Sequence, residues 1–169
     1  MSYRRPLPVD PLAEARRQWI AHGWTDAADG MSVVTSIMRA QQLLLARVDE
    51  ALKPFRLSFA RYEVLRLLAF SREGRLPMAS AVARLQLHPT SVTSTVDRLP
   101  HPSDGRAVLL AITDAGRERV EAATEGLNGD VFADVGLDDE DAATLVRVIA
   151  RLRRSAGDFR DPAPQPDPF

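Results

Sequence analysis

Two short amphipathic segments separated by only three residues constrain the fold of this chain most strongly. They cover residues 78–85 and 89–99, and an apolar segment, residues 107–113, follows them. The apolar side chains of the second segment recur at helical spacing: Val92, Val96 and Leu99. The apolar segment is rich in strand-forming residues. This order predicts a helix-turn-helix followed by a small β wing, in a fold that is otherwise mainly α.

Five longer helical patterns surround this part of the chain. One covers residues 12–22, with Pro11 in its first turn. The next is long and amphipathic, is predicted to begin at a cap formed by Ser32, and ends before Pro54. The remaining three are predicted to follow caps at Ser58, Thr113 and Asp138.

These patterns predict five regions. Residues 1–31 form an arm and an extra helix, and residues 32–56 form a dimerisation helix. The winged helix-turn-helix lobe covers residues 57–113, two C-terminal dimerisation helices cover 114–157, and 158–169 is a proline-rich disordered tail. The first long helix and the last one both carry apolar stripes that one lobe is too small to cover, so we expect an obligate dimer.

Charge is distributed unevenly along the 169 residues, although the net charge is only −1. Residues 53–106 carry nine Lys and Arg against four acids, whereas residues 107–169 carry seven Arg against thirteen acids. A basic central third favours an anionic partner, because charge distribution steers association. The alternative is a chance excess of solvated arginines.

The polar face of the second short segment has an unusual composition for an exposed helix. It is formed by Thr90, Ser91, Ser94 and Arg98. Glu, Lys and Gln form helices better than Ser and Thr, so the small hydroxyls indicate close approach to a groove, where they meet base edges and phosphates. Pro89 presets the first turn and leaves backbone amides available to phosphate. The alternative is a solvent-exposed helix of low propensity.

The segments LQLHPTSVTSTVDRL and PHPSDGRAVLLAITDAGRERV resemble the MarR family of bacterial transcription regulators, from about residue 32 to 152. The resemblance implies a homodimer that binds a pseudo-palindromic operator on double-stranded DNA, probing the major groove with the positions named above and His88 at the helix cap. It also implies a wing in which Arg106 reaches the minor groove and Asp104 holds the arginine side chains. For these two residues the alternative is an ordinary turn with a surface ion pair. Neighbouring arginines are candidates for phosphate contacts: Arg61, Arg66, Arg72, Arg75 and Arg84.

A small-molecule effector, anionic or phenolic, is a further implication of the resemblance. The extra N-terminal helix is similar to a subgroup in which a tryptophan faces an acidic residue of the third helix across a ligand pocket. Trp19 and Glu63 occupy these places here, although the subgroup usually has Asp in place of Glu. The alternative is that Trp19 only anchors a packing helix.

An enzyme is not expected from this sequence. The three histidines lie far apart, no cysteine is present, and neither a phosphate-binding glycine loop nor a nucleophile elbow occurs. We therefore expect no metal or cofactor, and, with neither a signal peptide nor a membrane span predicted, a cytoplasmic protein. The rival hypothesis is a helical dimeric interaction module that does not bind DNA.

The predicted wing lacks a partner strand, because residue 99 of the recognition helix leads directly into Pro100 and the turn. An isolated strand leaves its amides and carbonyls unpaired. Two interpretations follow: a truncated wing, or a stretch of roughly ten residues absent from the sequence between Leu99 and Pro100. We favour the second, since a helix that runs straight into proline ends abruptly.

Overall fold

The fold is taken from a computed structural model, which describes residues 7–85, 96–101 and 104–159. Its helices are α1 Pro11–Ala21, α2 Thr25–Leu52, α3 Phe59–Phe70, α4 Met78–Leu85, α5 Asp114–Leu127 and α6 Asp139–Ser155. Its strands are β1 Arg75–Pro77, β2 Val96–His101 and β3 Asp104–Ile112. A 3-10 turn, Lys53–Phe55, follows α2, and a π turn, Asn128–Phe132, extends α5. The chain divides into two units, Met1–Arg47 and Val48–Phe169.

The first unit contains α1 and most of α2. Asp10 caps α1 by accepting a hydrogen bond from the backbone N–H of Leu12 at 2.9 Å, and Pro11 occupies the first turn as predicted. The start predicted for α2 at Ser32 is wrong, because the helix begins at Thr25. The Ser32 hydroxyl donates to the carbonyl of Ala28 at 2.9 Å, so it bonds back along the helix interior and caps nothing.

The second unit is held together by α3, α5 and the sheet. Its largest fully buried side chains are Leu52, Leu65, Leu68, Leu110, Val120 and Leu127. Ser58 caps α3 as predicted, accepting from the N–H of Arg61 at 3.4 Å. Tyr62 donates to or accepts from the Thr124 hydroxyl of α5 at 3.2 Å, which fixes how the two helices face each other.

The three strands form one antiparallel sheet in the order β1-β3-β2. The predicted strand at 107–113 is therefore the longer central strand β3, and β1 is a strand that the sequence pattern did not reveal. The partner strand of the wing is β2, which consists of residues assigned to the end of the recognition helix. That assignment is wrong for residues 96–99.

Proline is tolerated in β2 because this strand lies at the edge of the sheet, where a missing N–H costs no ladder bond. The pairing runs without interruption through the two residues in question, with Leu99 opposite Leu109 and Pro100 opposite Val108. The chain as it stands thus supplies a partner strand, which removes the reason for inferring a missing stretch. This pairing agrees with the first interpretation, a shortened wing, and the missing stretch stays a prediction.

Helices α5 and α6 complete the unit. Thr113 caps α5 by accepting from the N–H of Gly116 at 3.0 Å, and Asp138 caps α6 by accepting from the N–H of Asp141 at 2.8 Å, both as predicted. Among the residues that the structure describes, no helix is long and apolar enough to cross a membrane. The proline-rich tail lies beyond the described residues from position 160 onward.

Candidate nucleic-acid interface

The first helix of the predicted helix-turn-helix is α4, whose bounds match the prediction. Ala81 is buried and belongs to a cluster with Val64, Leu68 and Leu110, so α4 is packed onto both α3 and the central strand. The residues predicted for the second helix lie outside the described part of the chain: His88, Pro89, Thr90, Ser91 and Ser94. Their roles remain predictions.

The wing brings together three of the predicted contact residues. Arg98 lies in β2, where it pairs with Leu110, while Asp104 and Arg106 lie in β3. His101 pairs with Asp104 at the tip of the hairpin. The prediction that Arg98 lies on the recognition helix is therefore wrong, because pairing with β3 outweighs the local helical period. Arg98 lies in the same hairpin as Asp104 and Arg106.

The root of the wing is anchored by the turn before β1. The N–H of Ile112 donates to the carbonyl of Gly74 at 2.9 Å. Gly74 has a φ of 66°, and a Cβ atom there would lie 2.9 Å from Ile112 Cγ2 and 3.0 Å from Arg117 Nη2. A side chain at this position would both strain the backbone and collide with the strand. Sequence reasoning missed this anchor, although the glycine in SREGRL was a usable turn signal.

One predicted phosphate contact is engaged elsewhere. Arg66 of α3 forms a two-pronged ion pair with Glu121 of α5, with nitrogen–oxygen distances of 2.6 and 3.0 Å. Its guanidinium carbon also lies 4.6 Å from the centre of the Phe70 ring. Because its side chain is only 15% exposed, this arginine holds two helices together and is not available to a phosphate.

The two predicted effector residues belong to different units and are described separately. Trp19 packs edge-on against Trp24 in the first unit, with ring centres 5.2 Å apart. Glu63 is half-buried in the second unit, and burial raises the pKa of its carboxyl group. It lines a cavity of about 690 Å³ together with residues of α4, of α6 and of the turn after α6. A single pocket shared by Trp19 and Glu63 stays a prediction.

Comparison with solved structures identifies the fold and its relatives. The chain is similar to Sco5413, a MarR family transcriptional regulator from Streptomyces coelicolor, with 45% sequence identity and a TM-score of 0.70. The match covers 79% of this chain and 99% of Sco5413. This chain belongs to the MarR family of transcriptional regulators. The resemblance seen in its helix-turn-helix and wing motifs is thereby confirmed.

More distant relatives agree with this MarR-family assignment. An uncharacterized HTH-type transcriptional regulator of Mycobacterium bovis is 31% identical over 102 residues, which span 55% of this chain and 66% of that protein. The fold is also that of Sco3205, a MarR family regulator of Streptomyces coelicolor solved in complex with DNA, at 22% identity and a TM-score of 0.64. That match covers 76% of this chain and 88% of Sco3205. No protein-family model matches the chain.

The described residues of this MarR-family chain do not assemble a metal centre. Within residues 7–85, 96–101 and 104–159, no three His, Asp or Glu side chains are grouped so that they could hold an ion. The wing has an arginine in each of its two strands, Arg98 in β2 and Arg106 in β3. Such an arrangement can bind anions by charge and by hydrogen bonds.

Proposed function

We propose that this protein is a homodimeric repressor that binds a pseudo-palindromic operator in double-stranded DNA through α4, the segment that follows it, and the wing. The observation that carries the proposal is the β2–β3 hairpin, which follows the helix-turn-helix segment and holds Arg98 and Arg106. The cytoplasm is the compartment in which such a protein meets DNA.

The charge distribution supports DNA as the partner. The segment from residue 53 to 106, which includes most of the lobe, has an excess of positive charge, whereas the acids concentrate in the C-terminal third. The first turn of α6 alone contains Asp139, Glu140 and Asp141. DNA would meet the basic lobe, because an acidic helix end is repelled by phosphates.

The exposed apolar faces support a homodimer. In α6, the partly exposed side chains of Leu145, Val148 and Leu152 follow one another at helical spacing. The N-terminal half of α2 exposes Val33, Val34 and Met38. A two-fold dimer presents two wings and two recognition segments, which fit half-sites about one helical turn apart.

A small-molecule effector would complete this function. The cavity beside Glu63 lies within the size range of sites that hold small ligands. Because α4 contributes to its lining, a bound molecule would be in direct contact with the DNA-binding lobe. Its occupancy would therefore bias the position of the helix-turn-helix.

The decisive experiment is a binding titration on the promoter region of the protein's own gene at several salt concentrations. We expect the affinity to fall steeply as salt rises, because phosphate neutralisation releases counterions. Arg106→Ala should weaken binding to all sequences alike and reduce the slope of log affinity against log salt by roughly one. Since Arg98 also lies in a strand of the wing, Arg98→Ala should weaken binding and reduce the salt slope as Arg106→Ala does. Arg17→Ala, which removes an arginine paired with Glu14 on α1, is the matched control.

Two results would overturn the proposal. Binding that ignores salt would favour the helical interaction module, which does not depend on the central arginines. An unchanged salt slope in Arg106→Ala, with the same slope in Arg17→Ala, would remove the wing from the interface.

A further inference from the structure

The cavity beside Glu63 contains two arginines and two acids, and their pairing decides what it can bind. Its charged lining consists of Glu63 from α3, Arg84 from α4, Arg153 from α6, and Asp158 from the turn after α6. Leu85, Leu152 and Ala156 supply apolar surface. A ligand must therefore combine an apolar body with a group that one of these charges can recognise.

The arginines of the cavity already have partners. Arg153 Nε donates to Asp158 Oδ2 at 2.6 Å, and its guanidinium carbon lies 5.4 Å from the centre of the Phe159 ring. Asp158 is held in place by the turn that ends α6, in which its N–H donates to the carbonyl of Arg153 at 3.0 Å. Arg84 also makes an interaction of its own. An anionic ligand would compete with Asp158 for Arg153.

Unlike the arginines of the cavity, Glu63 has no partner among the described residues. No described residue donates a hydrogen bond to its carboxylate or forms an ion pair with it, although the side chain is half-buried. Burial raises the pKa of this carboxyl group. Partial burial of a carboxylate without a partner costs free energy. A hydrogen-bond donor supplied by a ligand therefore gains more binding free energy at the carboxylate of Glu63 than at a group that already has a partner.

We infer that the cavity binds a small organic cation, an amine with an apolar body, through the carboxylate of Glu63. The family resemblance implies an anionic or phenolic effector, whereas the ion pair of Arg153 with Asp158 and the unpaired carboxylate of Glu63 favour a cationic ligand. The ammonium group donates to Glu63, and the apolar body lies against Leu85 and Leu152. Calling this ligand an effector rests on the proposed function, but its binding does not.

The test uses two probes of equal size and opposite charge, benzylammonium and benzoate, titrated by calorimetry into the full chain. Benzylammonium should bind and benzoate should not. Glu63→Gln keeps the shape of the side chain, removes its charge, and should weaken benzylammonium binding about tenfold or more. Glu118→Gln, at an exposed acid of α5 that does not line this cavity, should leave the binding unchanged.

A second variant tests why the cavity rejects anions. Asp158→Asn removes the partner of Arg153, so benzoate should then bind measurably. Affinity for benzylammonium should rise as the pH rises through the pKa of Glu63, since the carboxylate is the form that binds. The other charged groups that line the cavity are Arg84, Arg153 and Asp158.

The proposal is overturned if benzoate binds the unmodified protein better than benzylammonium, if neither probe binds, or if Glu63→Gln binds benzylammonium as well as the parent chain. DNA affinity measured without any probe tests the proposed function separately. If DNA binds and benzylammonium binds at Glu63 but does not change DNA affinity, the cavity is a ligand site and the effector role is wrong.

Discussion

Helices α5 and α6 are neighbours in sequence and share an amphipathic pattern, yet only one of them is buried. α5 buries four residues against the rest of its unit: Gly116, Val120, Ala123 and Leu127. All 17 residues of α6 are described, and none of them is buried. The difference shows that helical periodicity predicts which residues share a face but does not identify what covers that face.

The exposed face of α6 is consistent with the homodimer proposed above. Its Leu145 and Leu152 are each 48% exposed and its Val148 is 42% exposed. Adjacent apolar side chains of this kind are typical of an interaction surface. α5 stabilises the unit to which it belongs, whereas the apolar surface of α6 is the one that the proposed homodimer would cover.

The largest expected effect comes from shortening a leucine in each helix. Leu127→Ala leaves a cavity in the core and should lower the free energy of unfolding by about 2–5 kcal/mol, without weakening the dimer. Leu145→Ala should instead raise the dimer dissociation constant and leave the stability of the lobe nearly unchanged. Urea unfolding and sedimentation equilibrium measure the two quantities. An unchanged dimer dissociation constant in Leu145→Ala would contradict the role proposed for α6.

The caps of the two helices allow a second comparison. Thr113→Ala and Asp138→Ala each remove one side-chain acceptor at a helix start and should cost about 1 kcal/mol. The loss at Thr113 should appear as lower stability of the lobe, and the loss at Asp138 as weaker dimerisation. Thr113→Ser and Asp138→Asn retain an acceptor and serve as controls. Equal effects on the lobe from both alanine variants would mean that α6 is part of the core after all.

The smallest effect concerns Glu63, which lines a cavity with the end of α6. Because burial raises the pKa of this acid in the folded state, the folded chain holds its proton more tightly than the unfolded chain does. The resulting stabilisation is present below the unfolded pKa and is lost as pH rises through the folded pKa. Glu63→Gln should remove this pH dependence of stability. The melting temperature measured between pH 4 and 8 follows it. At neutral pH the variant should be at least as stable as the parent chain. Lower stability of the variant at neutral pH would reveal a partner for the carboxylate.

Local chemistry made much of this fold predictable. The caps at Ser58, Thr113 and Asp138 and the bounds of α4 depend on side chains and periods that lie within a few residues of one another. The order of segments also predicted the wing, and the family resemblance then assigned Asp104 and Arg106 to it, where both residues lie in β3.

Apart from the start of α2, the failures arose where distant pairing decides the structure. β1 is only three residues long and ends in Pro77, so its strand character depends entirely on pairing with β3. Val96 and Leu99 fit a helical period, yet they lie in β2 because β3 needs a partner. The pairing of Arg66 with Glu121, 55 residues apart, has no local signal either.

The three strands differ in length, so the wing is supported on both sides at its root and on one side toward its tip. β1 borders β3 only at Leu109, Leu110 and Ala111, so the chain is held from both sides there. From Val108 outward, β3 is bordered by β2 alone. Bending stiffness is therefore greatest at the root and least toward the tip. Duplex DNA pressing on the tip would deflect the outer part of the hairpin, whereas Leu110, which lies at the root and is fully buried, would move least.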